Sequence, residues 1–163
     1  MNAELETHLA AIRSAPPAPE PNSEQRQRER ADFPSRFLAA ADAAWKPVLD
    51  AAATTLQSFG YGAIVELVRE RSGSDPNSYP SITLHFSPQR CSPGDLAYVY
   101  TIAGASVGLI CRRNDLCVEV VTAHPAGRGV ERRINFSTAS LAELTAERVT
   151  RIVTDAVKQI IKG

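Results

Sequence analysis

Between Tyr61 and Phe136 apolar and polar residues alternate in short runs, parted by clusters of Ser, Pro, Gly, Asn and Asp. A period of two broken by turn residues predicts antiparallel strands. The alternation resolves into about six candidate strands, at 62–70, 80–87, 96–102, 105–112, 116–122 and 130–136. Before this block the period lengthens. Phe37, Leu38, Ala41, Trp45, Val48, Leu49, Ala52 and Leu56 recur mostly every three or four residues and form a helical stripe of roughly five to six turns. Asp32-Phe33-Pro34-Ser35 predicts a break, with Pro34 or Ser35 opening the long helix. Pro47 predicts a kink or a split within it, and Gly60 its C-terminal stop. After the block, Ser140 and Glu143 have capping-box spacing. From about Thr145 a last helix presents Val149, Ile152, Val153, Ala156, Val157, Ile160 and Ile161 on one face. The fold class predicted is α+β: a single antiparallel meander sheet packed by a long N-terminal helix and a C-terminal helix.

Two turns predict which side chains share a face. Pairing through Ala103-Gly104 places Tyr100 opposite Val107 and Tyr98 opposite Leu109. Pairing through Asn114-Asp115 places Cys111 opposite Val118, Leu109 opposite Val120 and Ile110 opposite Glu119. One face is then bulky and apolar, while the other carries Ser106, Gly108 and Glu119. A slip of one residue would mix Glu119 into the apolar face, which fixes the register. In that register Cys111 and Cys117 point to opposite sides and cannot be bridged.

The N-terminal region reads differently. Leu5, Leu9 and Ile12 lie at helical spacing, followed by PPAPEPN at 16–22, which favours an extended spacer. Residues 1–22 are therefore expected to form an amphipathic segment and a Pro-rich spacer, and residues 23–163 a single α+β domain. The stripe suits docking to another protein or a second copy, and equally a helix resting on its own domain or a frayed terminus. The mixed charges of SEQRQRERADF, from Ser23, predict a solvated helix face rather than a nucleic-acid contact.

Composition narrows the function classes. A chain of 163 residues with 44% hydrophobic and 22% charged content suits one globular domain. Eighteen basic and eighteen acidic residues leave no net field for nucleic acid or an anionic membrane. No run reaches the length of about 18 apolar residues that a membrane span needs. The first residues carry acids and lack the apolar core of a secretory signal. The three cysteines suit a reducing compartment, so a cytoplasmic location is expected. The abundance of Ala and Arg is a bacterial-like leaning in composition.

Chemistry is thin. His85 alternates with Ile82, Leu84 and Phe86, and with Glu119 it is the candidate acid–base pair. Cys91, in QRCSPGD, is the candidate exposed thiol, without a nucleophile signature around it. Three scattered histidines without paired Cys/His spacing argue against a metal site, and no phosphate-cradling motif or cofactor fingerprint is present. Trp45, Tyr98 and Tyr100, with Phe37, are the residues that could line a pocket between sheet and long helix. The helix–meander–helix order is similar in outline to several unrelated small proteins, secretion chaperones and helix-grip ligand binders among them, and outline carries no function. Three functions follow in order. The first is a non-enzymatic interaction module (adaptor, chaperone or assembly subunit) that would act in an oligomer or on a protein partner. The second is a small-molecule binder, and the third an enzyme using His85, Glu119 and Cys91.

Overall fold

A computed structural model describes residues 3–14, 23–70, 79–91, 104–126 and 132–162. Helix α1 spans Ala3–Ser14 and helix α2 spans Ser23–Ala40. A π-helical turn, Ala41–Trp45, joins α2 to α3, Lys46–Ser58. The strands are β1 (Tyr61–Val68), β2 (Ser81–Arg90), β3 (Ala105–Arg112), β4 (Cys117–Pro125) and β5 (Arg132–Ala139), followed by α4 (Ala146–Ile160). They make one antiparallel sheet in the order β1-β2-β3-β4-β5. The fold is α+β, with five strands among the described residues rather than about six.

β3 takes a different partner from the predicted one, for a geometric reason. β3 has two edges, and they are taken by β2 and β4. Leu109 lies opposite Ile82, and Val107 opposite Leu84, where the sequence placed Tyr98 and Tyr100. Alternating bulky residues at 80–87 and at 96–102 satisfy the same face, so patterning alone did not choose between them. Candidate strand 96–102, with Tyr98 and Tyr100, lies outside the described residues. The β3–β4 register is the one that the turn at Asn114-Asp115 predicts, with Leu109 opposite Val120 and Cys111 opposite Val118. The turn itself is longer than two residues: Arg112 pairs with Cys117, and Leu116 takes a positive φ of 53°.

The helix before the sheet also departs from expectation. It does not begin at Pro34; α2 runs through Pro34 from Ser23. Phe33 and Phe37 flank that proline and are buried, so packing holds the turn that lacks a proline N–H. At Pro47 the helix neither stops nor loses contact with the core. The π turn widens the preceding ring, and the Lys46 N–H donates to the Ala41 carbonyl five residues back. That extra residue absorbs the bond which Pro47 cannot make. Gly60, at φ 89°, ends α3 as its sequence position suggests.

One core joins these elements. It combines Phe33, Phe37, Trp45, Leu49 and Leu56 with Ile82, Leu84, Phe86, Val107, Leu109, Cys111, Val118 and Val120, and with Val149, Val153 and Ala156 of α4. Phe37 and Trp45 meet edge to face with ring centroids 4.9 Å apart. The indole Nε1 of Trp45 donates to the Leu144 carbonyl at 2.7 Å and ties the helix to the lead-in of α4. There Thr145 caps α4, its Oγ1 accepting from the Arg148 N–H.

Candidate functional site

The face of the sheet turned away from the core carries most of the candidate chemistry. Cross-strand rows run Ile64, His85, Ser106, Ala123, Ile134; then Glu66, Thr83, Gly108, Val121, Phe136; then Val68, Ser81, Ile110, Glu119, Thr138. His85 and Glu119 share this face but lie two strands and four residues apart. At about 4.8 Å between strands and about 3.3 Å per residue, that is about 16 Å, beyond one-water reach. Each has another ionic neighbour. The Arg112 guanidinium grips Glu119 with two bonds of 2.9 Å. The His85 Nε2 lies 3.9 Å from the Glu66 carboxylate. The structure does not bring His85 and Glu119 together.

Burial in the sheet lowers the His85 pKa from 6.5; Glu66 opposes that shift, and Arg132 adds to it. A folded state that holds the ring neutral contributes stability which is complete above 6.5. That stability is lost as pH falls from 6.5 toward the lower folded value. Urea midpoints measured from pH 7.5 down to 5 should decline more steeply for the parent than for His85→Gln. Parallel curves would show that His85 does not titrate in this way.

Gly108 sits at the centre of this face, where a side chain would crowd Thr83. A Cβ at position 108 would lie 3.0 Å from Thr83 Oγ1. Gly108→Val should therefore cost about 2 kcal/mol by overpacking. Adding Thr83→Ala should recover about half of that, as read by denaturant unfolding of the double-mutant cycle. Equal losses with and without Thr83 would show that the neighbour is not the cause.

Cys111 is buried in the core, and burial pushes its thiol up to about 11, where it is inert. Cys117 lies on the opposite face, its pKa also raised by burial. Cys91 follows β2, where its backbone N–H donates to the Gly60 carbonyl. Its Sγ lies 3.6 Å from Ser87 Oγ, and that buried hydroxyl accepts from the Gly62 N–H. All three cysteines are free thiols. Cys91 thus sits where the end of β2 meets the turn between α3 and β1.

Trp45 and Phe37, candidates for a ligand pocket, are 0% exposed and packed into the core. The grooves lie elsewhere. One, of about 340 Å³, runs between α4 and the β4–β5 edge, lined by Thr122, Asn135, Ser137, Arg148, Ile152 and Asp155 among others. Another, of about 550 Å³, lies between α3 and α4 and is lined largely by small and apolar side chains. Among the described residues no group of three His, Cys, Asp or Glu is placed to hold a metal, and no helix is long and apolar enough to cross a membrane.

Among the described residues, the large apolar side chains that remain in water lie in two groups, with Phe59, 66% exposed after α3, apart from both. On α1, Leu5, Leu9 and Ile12 are 55%, 54% and 59% exposed. On β5, Ile134 is 56% and Phe136 72% exposed. The first group follows from its sequence spacing. The second was missed, although a signal was present: Arg133, Asn135 and Ser137 alternate with Ile134 and Phe136. Register with β4 puts the polar set on the core side, opposite His124, Thr122 and Val120, and the apolar set outside. No family model, curated protein or solved structure matches this chain.

Proposed function

We propose that this chain is a non-enzymatic protein-interaction module: an adaptor, chaperone or assembly subunit that binds a protein partner or a second copy of itself. The observation that carries this reading is the concentration of exposed large apolar residues on α1 and β5. Scattered exposed apolar residues are ordinary, whereas clustered ones mark contact surfaces. On α1 the three side chains present one stripe to an incoming groove, the arrangement of helix-in-groove recognition. The sequence between α1 and α2 carries four prolines in PPAPEP, a composition that suits a spacer between the stripe and the rest of the chain.

Affinity purification from the native host, with the full chain and with a chain lacking residues 1–22, tests this reading. The full chain should recover a defined partner that the shortened chain loses. Recovery of the same proteins by both would remove the role of α1. The ligand-binding alternative rests on the α4–β5 groove, which mixes polar and apolar lining. It has weaker support, because Trp45 and Phe37, two of the four aromatics expected to line a pocket, are wholly taken up in the core, and Tyr98 and Tyr100 lie outside the described residues.

A further inference from the structure

The two edges of the sheet are treated differently. At the β1 edge a register shift between Tyr61 and Ala63 interrupts the ladder, and the half-exposed Glu66 carries a charge there. Beneath β1, Ala63, Val65 and Leu67 belong to or pack on the core that α3 helps to build. Bulges, charges and helical cover are the usual means of closing an edge to other strands. Among the described residues, β5 has little of this. Its pairing with β4 runs from Arg132 to Ala139 without a register shift, and no proline or charge follows Arg133. From Arg133 to Thr138 it is exposed on both faces, with Ile134 and Phe136 the most conspicuous. Among the described residues β5 pairs only with β4, so its outer row of backbone N–H and C=O groups has no strand partner.

The order of side chains on β5 says what fits there. A two-fold axis normal to the sheet pairs a strand with its own copy, antiparallel, and keeps like faces together. Centred on Asn135, it sets Ile134 opposite Phe136 of the second copy, and Phe136 opposite that copy's Ile134. Aromatic and β-branched residues are favourable cross-strand neighbours. The same register sets Arg132 opposite Thr138 and Arg133 opposite Ser137 of the second copy, so no arginines oppose each other. A shift of the axis to Ile134 would place Arg132 opposite Phe136. A shift to Phe136 would leave Ile134 facing Thr138.

We infer that β5 is the self-association edge of this protein, joining two copies into one continuous antiparallel sheet about a two-fold axis at Asn135. Both helical layers then lie on one side. The α4–β5 grooves of the two copies merge into a single trough flanked by α4 from each. This inference rests on the interaction reading above and identifies one of its partners as a second copy.

Sedimentation velocity of the full chain between about 1 and 100 µM tests it, beside Phe136→Asp and two cysteine variants under mild oxidation. The parent should be a dimer. Phe136→Asp should weaken association about a hundredfold or more while keeping the parent's unfolding midpoint, since Phe136 is 72% exposed in the single copy. Asn135→Cys, at the axis, should give a covalent dimer. Thr138→Cys should not, because the two copies of residue 138 would stand about 20 Å apart along the strands. A parent that is monomeric throughout the range overturns the inference, as does a dimer unaffected by Phe136→Asp or crosslinked equally at 135 and 138. A monomer that still loses its partner when residues 1–22 are removed would overturn the β5 edge and leave the α1 reading standing.

Discussion

Trp45→Ala should lower the free energy of unfolding by about 5 kcal/mol, a large part of the ordinary stability of a domain this size. Two losses combine. The indole is 0% exposed and packs edge to face on Phe37, so its removal opens a cavity where helix, sheet and α4 meet. Its Nε1 is also the donor to the Leu144 carbonyl, which truncation would leave without that bond. Trp45→Phe separates the two. It keeps most of the apolar volume and deletes the donor, so the expected cost falls to about 2 kcal/mol. Denaturant unfolding followed by circular dichroism measures both. If Trp45→Phe proved as stable as the parent, the bond to Leu144 would not be what fixes the lead-in to α4.

The position of Trp45 also shows what could be read from the chain beforehand. Its place in a three- and four-residue stripe correctly marked an inward-facing helical residue. Periodicity does not report whether an inward aromatic lines a hollow or fills it, and here it fills it. Likewise, alternation in 105–112 and 116–122 with one short turn was enough to set Leu109 against Val120, because a slip would have buried Glu119. Strand adjacency was harder. Runs 80–87 and 96–102 carry equivalent patterns, and only long-range pairing placed Ile82 and Leu84 beside β3. Pro34 and Pro47 each predict a local break. Tertiary packing of Phe33 and Phe37 and a π turn at Ala41–Trp45 carried the helix through both.

For the candidate site, sequence found the α1 stripe because all three residues lie within one short helix. It placed His85 and Glu119 on one face but could not supply the strand count between them. It passed over Ile134 and Phe136 because alternation alone does not say which face of an edge strand meets the core, and on β5 the polar set faces it. Those two residues acquire meaning only from the bare edge on which they lie.

The interaction reading is tested most directly by one exposed residue, Leu9. It is 54% exposed on α1, so Leu9→Asp should change folding stability by no more than about 0.5 kcal/mol. If Leu9 is buried at a partner surface, the substitution removes about 2 kcal/mol of apolar burial and forces a carboxylate into an apolar groove. Binding should then weaken at least about a hundredfold. Quantitative affinity purification from the native host, with the unfolding midpoint measured on the same samples, gives both readouts. The expected result is an unchanged midpoint with the partner lost. An unchanged midpoint with the partner recovered in parental amount would contradict the role assigned to α1.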